Sequence, residues 1–104
     1  MKQNPILQYL GLSQRAGCIA SGEFMTESAV KAHTARLVIV AEDASERTRK
    51  QFKDMCAHHK IPYREYGQKE EIGHCIGKEF RASLAVLDQG MAKQIIDRID
   101  GGSN

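Results

Sequence analysis

The side chains best suited to metal or thiol chemistry fall into two short groups. Cys56, His58 and His59 form one, and His74-Cys75 the other. Together they supply enough sulfur and imidazole to suggest a metal site, and Cys56 with His59 would suit a nucleophilic pair. Neither group has the CxxC or HxxxH spacing of a zinc site. Helical spacing places Cys56 and Cys75 on apolar faces, where cysteine behaves as a small hydrophobe. A reactive thiolate needs a partly exposed, electropositive setting, which an inward Cys56 lacks. The reading is therefore no metal, no cofactor and no thiol catalysis. The other common signatures are missing too: no GxGxxG after a strand, no GxxxxGK[ST], no GxSxG and no HExxH.

What remains is charge and aromatic placement. Glu42-Asp43 follows the end of an aliphatic run, the edge at which α/β sheets bind ligands, although a turn with helix capping explains the pair equally. Arg47, Arg49 and Lys50 sit in the first turns of an expected helix, where the helix dipole disfavours cations. Lys78 and Arg81 flank Phe80 in a loop. An aromatic between two cations suits base stacking beside a phosphate contact. A loop residue folded onto the core is the plainer alternative.

The elements that must position these residues are legible from pattern. The chain has 104 residues, 41% hydrophobic and 27% charged, with a formal net charge of +2. That fits one folded soluble domain over 1–104 and permits an anionic partner without demanding one. The longest apolar run is Leu37–Ala41, too short for a membrane span. The N-terminus offers no signal peptide. Three widely spaced cysteines disfavour a disulfide framework and suit a reducing cytoplasm.

Asn4-Pro5 starts a helix that ends near Gly17. Gly11 within it implies close approach of another backbone. A short strand at 18–21 leads to a helix over 22–33, with Met25, Ala29 and Ala32 inward. Residues 37–41 form a central strand buried on both faces. Ser45 caps a helix reaching about Lys60, with Phe52, Met55, Cys56 and His59 on one face. Ile61–Tyr66 is a short strand, and Pro62 at its start suits an edge or a strand beginning. A helix over 70–76, a strand over 82–87 and a last helix capped by Asp88 follow, and 101–104 is a frayed tail. This alternation predicts an α/β fold with helices on both faces of a small sheet.

Three stretches then look familiar. They are Leu10-Gly11-Leu12-Ser13-Gln14-Arg15-Ala16-Gly17, Ser21-Gly22-Glu23, and Ala35 through Ala41-Glu42-Asp43-Ala44-Ser45. With Ile61-Pro62-Tyr63 and Ile72-Gly73-His74-Cys75-Ile76-Gly77, the chain resembles the kink-turn RNA-binding ribosomal proteins. That is the family of the archaeal protein L-seven-Ae and the eukaryotic L-thirty-e, and the likeness is strongest to its short bacterial YlxQ-type branch. The resemblance implies a three-layer αβα sandwich with a mixed four-stranded sheet and non-enzymatic binding of structured RNA. It also implies a cytoplasmic monomer, with the ribosome as a candidate partner and no membrane association.

The family's RNA contacts come from the turn opening the second helix and from the loop before the last strand. The first carries a Gly-x-Asn-Glu-x-x-Lys pattern. Here Gly22 and Glu23 are followed by Phe24, Met25 and Ser28 at the Asn, Glu and Lys positions. Glu42 and Asp43 match the acidic end of the central strand, and Lys78, Glu79, Phe80 and Arg81 form the later loop. The resemblance thus implies an RNA surface whose usual hydrogen-bonding trio is replaced. Phe24 lies about 100° around the helix from Met25 and suits stacking on an unpaired base. A protein-interaction module on the same fold, with Phe24 and Met25 in an apolar patch, is the alternative.

Overall fold

A computed structural model describes residues 4–101. Residues 1–3 and 102–104 lie outside the described residues, and with them most of the tail expected at 101–104. Nine elements alternate among the described residues: α1 (Pro5–Arg15), β1 (Ile19–Ser21), α2 (Glu23–Lys31), β2 (Leu37–Val40), α3 (Glu46–His59), β3 (Tyr63–Glu65), α4 (Lys69–Cys75), β4 (Ser83–Val86) and α5 (Gln89–Asp100).

The helix starts follow their local chemistry. Asn4 Oδ1 accepts from the backbone N–H groups of Ile6 at 2.9 Å and Leu7 at 3.1 Å, and Pro5 takes the first helical position. Ser45 and Asp88 cap α3 and α5 in the same way. Gly17 lies at φ 75°, in the left-handed region expected after α1. A Cβ at Gly11 would lie 3.1 Å from the carbonyl oxygen of Cys75, so α1 and α4 do approach backbone to backbone there.

The sheet order is β1-β4-β2-β3. β4 runs antiparallel to both β1 and β2, whereas β3 is a parallel edge strand beside β2. Every residue of β2 and β4 is buried. Helices α2 and α3 pack on one face; α1, α4 and α5 form the other layer. The expected αβα sandwich with a mixed four-stranded sheet is therefore the fold.

One expectation fails. The inward face of α2 is Thr26, Ala29 and Val30, while Met25 is 52% exposed and Ala32 is exposed. The apolar count chose Met25, but Thr26 has the shape of valine and fills the core position. Its Oγ1 is buried without a hydrogen-bond partner among the described residues. Starting the inward stripe at Thr26 turns Met25 out.

The register gathers the loops at two ends. Ser21 pairs with Leu84, Val40 with Ser83 and Val40 with Glu65. The turns after β1, β2 and β3 and the loop before β4 therefore share one edge. The opposite edge collects the ends of α2 and α3 and the start of α5.

Candidate nucleic-acid interface

The first edge holds most of the residues singled out above. Gly22 caps α2 at φ 93°, a conformation that disfavours any side chain. Its N–H donates to Ser83 O at 2.9 Å, which ties the α2 start to β4. Glu23, Phe24, Met25 and Ser28 are all exposed, Phe24 by 75%. So large an exposed ring contributes nothing to the core and is available to stack.

The loop before β4 lies alongside. Arg81 Nε donates to Ser21 Oγ at 3.2 Å, and its Nη1 donates to Phe80 O at 2.7 Å. These bonds hold the guanidinium next to Gly22, whose added Cβ would be 4.0 Å from Arg81 Nε. Phe80 is 58% exposed, so the alternative of a loop residue folded onto the core does not hold. Lys78 and Glu79 are exposed beside it.

The acidic pair joins the same edge by a different route. Asp43 Oδ1 accepts from the Lys69 N–H at 2.8 Å, and Lys69 O accepts from the Arg81 N–H at 3.1 Å. Asp43 thus caps the start of α4 from across the sheet, while Glu42 remains exposed. A continuous hydrogen-bonded path runs from Asp43 through Lys69 and Arg81 to Ser21.

Two of the three cations opening α3 are engaged locally. Arg49 donates to Ala44 O at 3.1 Å and faces Glu65 at 3.6 Å. Lys50 pairs with Asp54 at 2.8 Å, and that bond raises its ammonium pKa above the ordinary value. Their placement against the helix dipole is offset by these partners. Arg47 is exposed.

The cysteine and histidine groups do not converge on a metal. Among the described residues no three His, Cys, Asp or Glu side chains are arranged to hold one. Cys56 is fully buried, and burial pushes its thiol up to about 11; Cys75 is likewise pushed up to about 11, chiefly by burial. Such thiols stay protonated and unreactive near neutral pH.

Sequence reasoning passed over Lys69 and named Ser21 and Gly73 only within stretches of the resemblance, without a role. Gly73 is buried inside α4, and a Cβ there would lie 2.7 Å from the Glu79 carbonyl and 2.8 Å from Phe80 Cα. A glycine inside a short helix was the available signal, the same one that marked Gly11.

Comparison with known proteins decides the relationship. The model of the ribosomal protein L7Ae/L30e/S12e/Gadd45 family matches residues 4–96. The chain belongs to this family. A Bacillus subtilis (strain 168) protein, the RNA-binding protein YlxQ, is 40% identical over 91 residues, covering 88% of this chain and 91% of YlxQ. A solved Bacillus halodurans structure, of a protein with unknown function, has a TM-score of 0.91 at 33% identity. It covers 94% of this chain and 99% of its own. The Giardia lamblia 15.5kD RNA binding protein shares the L7Ae-type fold, with a TM-score of 0.80 at 17% identity, over 97% of this chain and 92% of that one. As a member of the L7Ae/L30e family the protein is not an enzyme.

Proposed function

We propose that the protein binds structured RNA, non-enzymatically, through the edge formed by Gly22-Glu23-Phe24-Met25, Ser28, Glu42-Asp43 and Lys78-Glu79-Phe80-Arg81. The observation that carries this reading is the exposed Phe24 ring beside a glycine-capped helix start and the anchored Arg81 guanidinium. Family membership and the RNA-binding YlxQ relative support it. Stacking on Phe24 and Phe80 is tolerant of sequence, because every base has a π-face. Arg81 and Lys78 supply phosphate contacts, which position RNA without reading its sequence. The work is done in the cytoplasm, in translation or on the ribosome, by a single-domain monomer.

The residues at the family's Asn, Glu and Lys positions are Phe24, Met25 and Ser28. A phenyl ring and a thioether cannot present the donors and acceptors that read base edges. Binding is therefore weaker and less selective for kink-turn RNA than in a member that keeps all three. Calorimetric titration with a kink-turn RNA and a scrambled duplex tests this. Saturable, salt-dependent binding of both, with affinities within about tenfold (about 1.4 kcal/mol), is expected. Absence of saturable binding to either RNA would overturn the proposal and move this apolar edge, with Phe24, Met25 and Phe80 exposed, to a protein partner.

A further inference from the structure

The opposite edge of the sheet carries a second feature, independent of the RNA reading. A cleft of about 200 Å³ lies between the ends of α2 and α3 and the start of α5, and is lined by His33, Arg36, His59, Lys60 and Gln89 over a floor that includes Pro62. His33 and Lys60 each follow a helix and adopt left-handed conformations, at φ 61° and 59°. That geometry is uncommon for residues other than glycine. It turns both chains sharply and brings the two helix ends together. The His33 and His59 rings meet edge to face at 5.4 Å, and His58 packs on His59 at 4.9 Å.

The ionisable side chains that line the cleft are all basic. Glu27 is paired with Lys31 at 2.8 Å, and the Asp88 carboxylate is committed to the Met91 N–H at 2.9 Å in capping α5. Arg36, Lys60 and the three imidazoles have no acidic partner among the described residues. Gln89, the first residue of α5, adds a side-chain amide to the wall. A concave site with an arginine, a lysine and two imidazoles suits a phosphate group.

We propose that this cleft is a second anion site that binds a phosphate group, held by Arg36, Lys60, His33 and His59. The phosphate comes either from a free phosphate ion or from an RNA backbone. Burial, then His58, His33 and Lys31, lower the His59 pKa below its usual value. The empty cleft therefore disfavours the imidazolium, and a bound anion restores it. Affinity for an anion of fixed charge must rise as pH falls.

The test is an amide-resolved NMR titration of the full chain with inorganic phosphate and, separately, a short oligouridylate, at constant ionic strength. Saturable shifts confined to the ends of α2 and α3 and the start of α5 are expected. The oligouridylate, whose internal phosphodiesters keep a fixed charge over this range, should bind more tightly at about pH 6 than at about pH 8. Lys60→Gly keeps the left-handed turn while removing the charge. Arg36→Gln keeps the backbone bond from residue 36 to Val86 O. Each should weaken binding about tenfold without unfolding the chain. Tighter binding of the oligouridylate at the cleft assigns the site to an RNA backbone, and tighter binding of phosphate assigns it to the free ion; either supports the proposal. Unsaturable shifts spread over all basic residues, or insensitivity to pH and to both substitutions, overturn it.

Discussion

Gly73 lies directly beneath Phe80: a Cβ at residue 73 would come within 2.8 Å of the Phe80 Cα. The exposed ring stands on a loop that crosses helix α4 at the one position where a hydrogen replaces a side chain. The neighbouring contacts, 2.7 Å to the Glu79 carbonyl, are also to backbone and cannot rotate away. Gly73→Ala should therefore lift the loop, cost about 1–3 kcal/mol of stability and weaken RNA binding. Urea melts and RNA titrations of the variant check both effects.

Phe24→Ala separates stacking from folding. The ring is 75% exposed, so stability should change by no more than about 0.5 kcal/mol. RNA affinity should fall by about 1–3 kcal/mol where a base stacks on the ring. Thermal melts and binding isotherms measured on the same preparation compare the two.

Arg81→Ala should lower RNA affinity and reduce the slope of log K against log salt by about one, the signature of one lost phosphate contact. Its hydrogen bond to Ser21 is half-buried, so a small loss of stability accompanies it. Titrations at several salt concentrations measure the slope. An unchanged slope would mean that Arg81 serves only to join the loop to β1.

The sandwich was legible because Leu37–Val40 is an uninterrupted aliphatic run and the caps at Asn4, Ser45 and Asp88 are chemically explicit. Pro62 suited either an edge strand or a strand beginning, and the sheet order makes β3 an edge. Helix α2 was harder. Its core stripe uses Thr26, whose hydroxyl counts as polar in any hydropathy pattern although its shape packs as valine does. Asp43 was expected either to meet a ligand or to serve a turn with helix capping, and the helix was not specified. It caps α4, 26 residues later, and no local pattern encodes so distant a bond. The grouping of Gly22, Phe24 and Arg81 rested on the family resemblance, since only strand register brings 21 beside 84.

The buried thiols make stability depend on alkaline pH. Cys56 and Cys75 ionise near 9.0 when unfolded and hold their protons to about 11 when folded. Burial raises the Tyr63 phenol in the same direction, helped by its bond to Glu65. Between pH 9.0 and about 11 the unfolded chain has released thiol protons that the folded chain keeps. The thiol contribution to stability should be flat below this window and be lost as pH rises through it. Urea melts across that range test the sign. Iodoacetamide near about pH 8 should leave Cys56 unlabelled until the protein unfolds.

The central claim is that one edge of the sheet holds RNA. An amide-resolved NMR titration with a kink-turn RNA tests it most directly. The account predicts saturating shifts at Gly22–Met25, Glu42-Asp43 and Lys78–Arg81, with the α5 surface around Lys93 and Asp97 unaffected. Saturating shifts on that α5 surface, with the Gly22 and Arg81 amides unmoved, would contradict it.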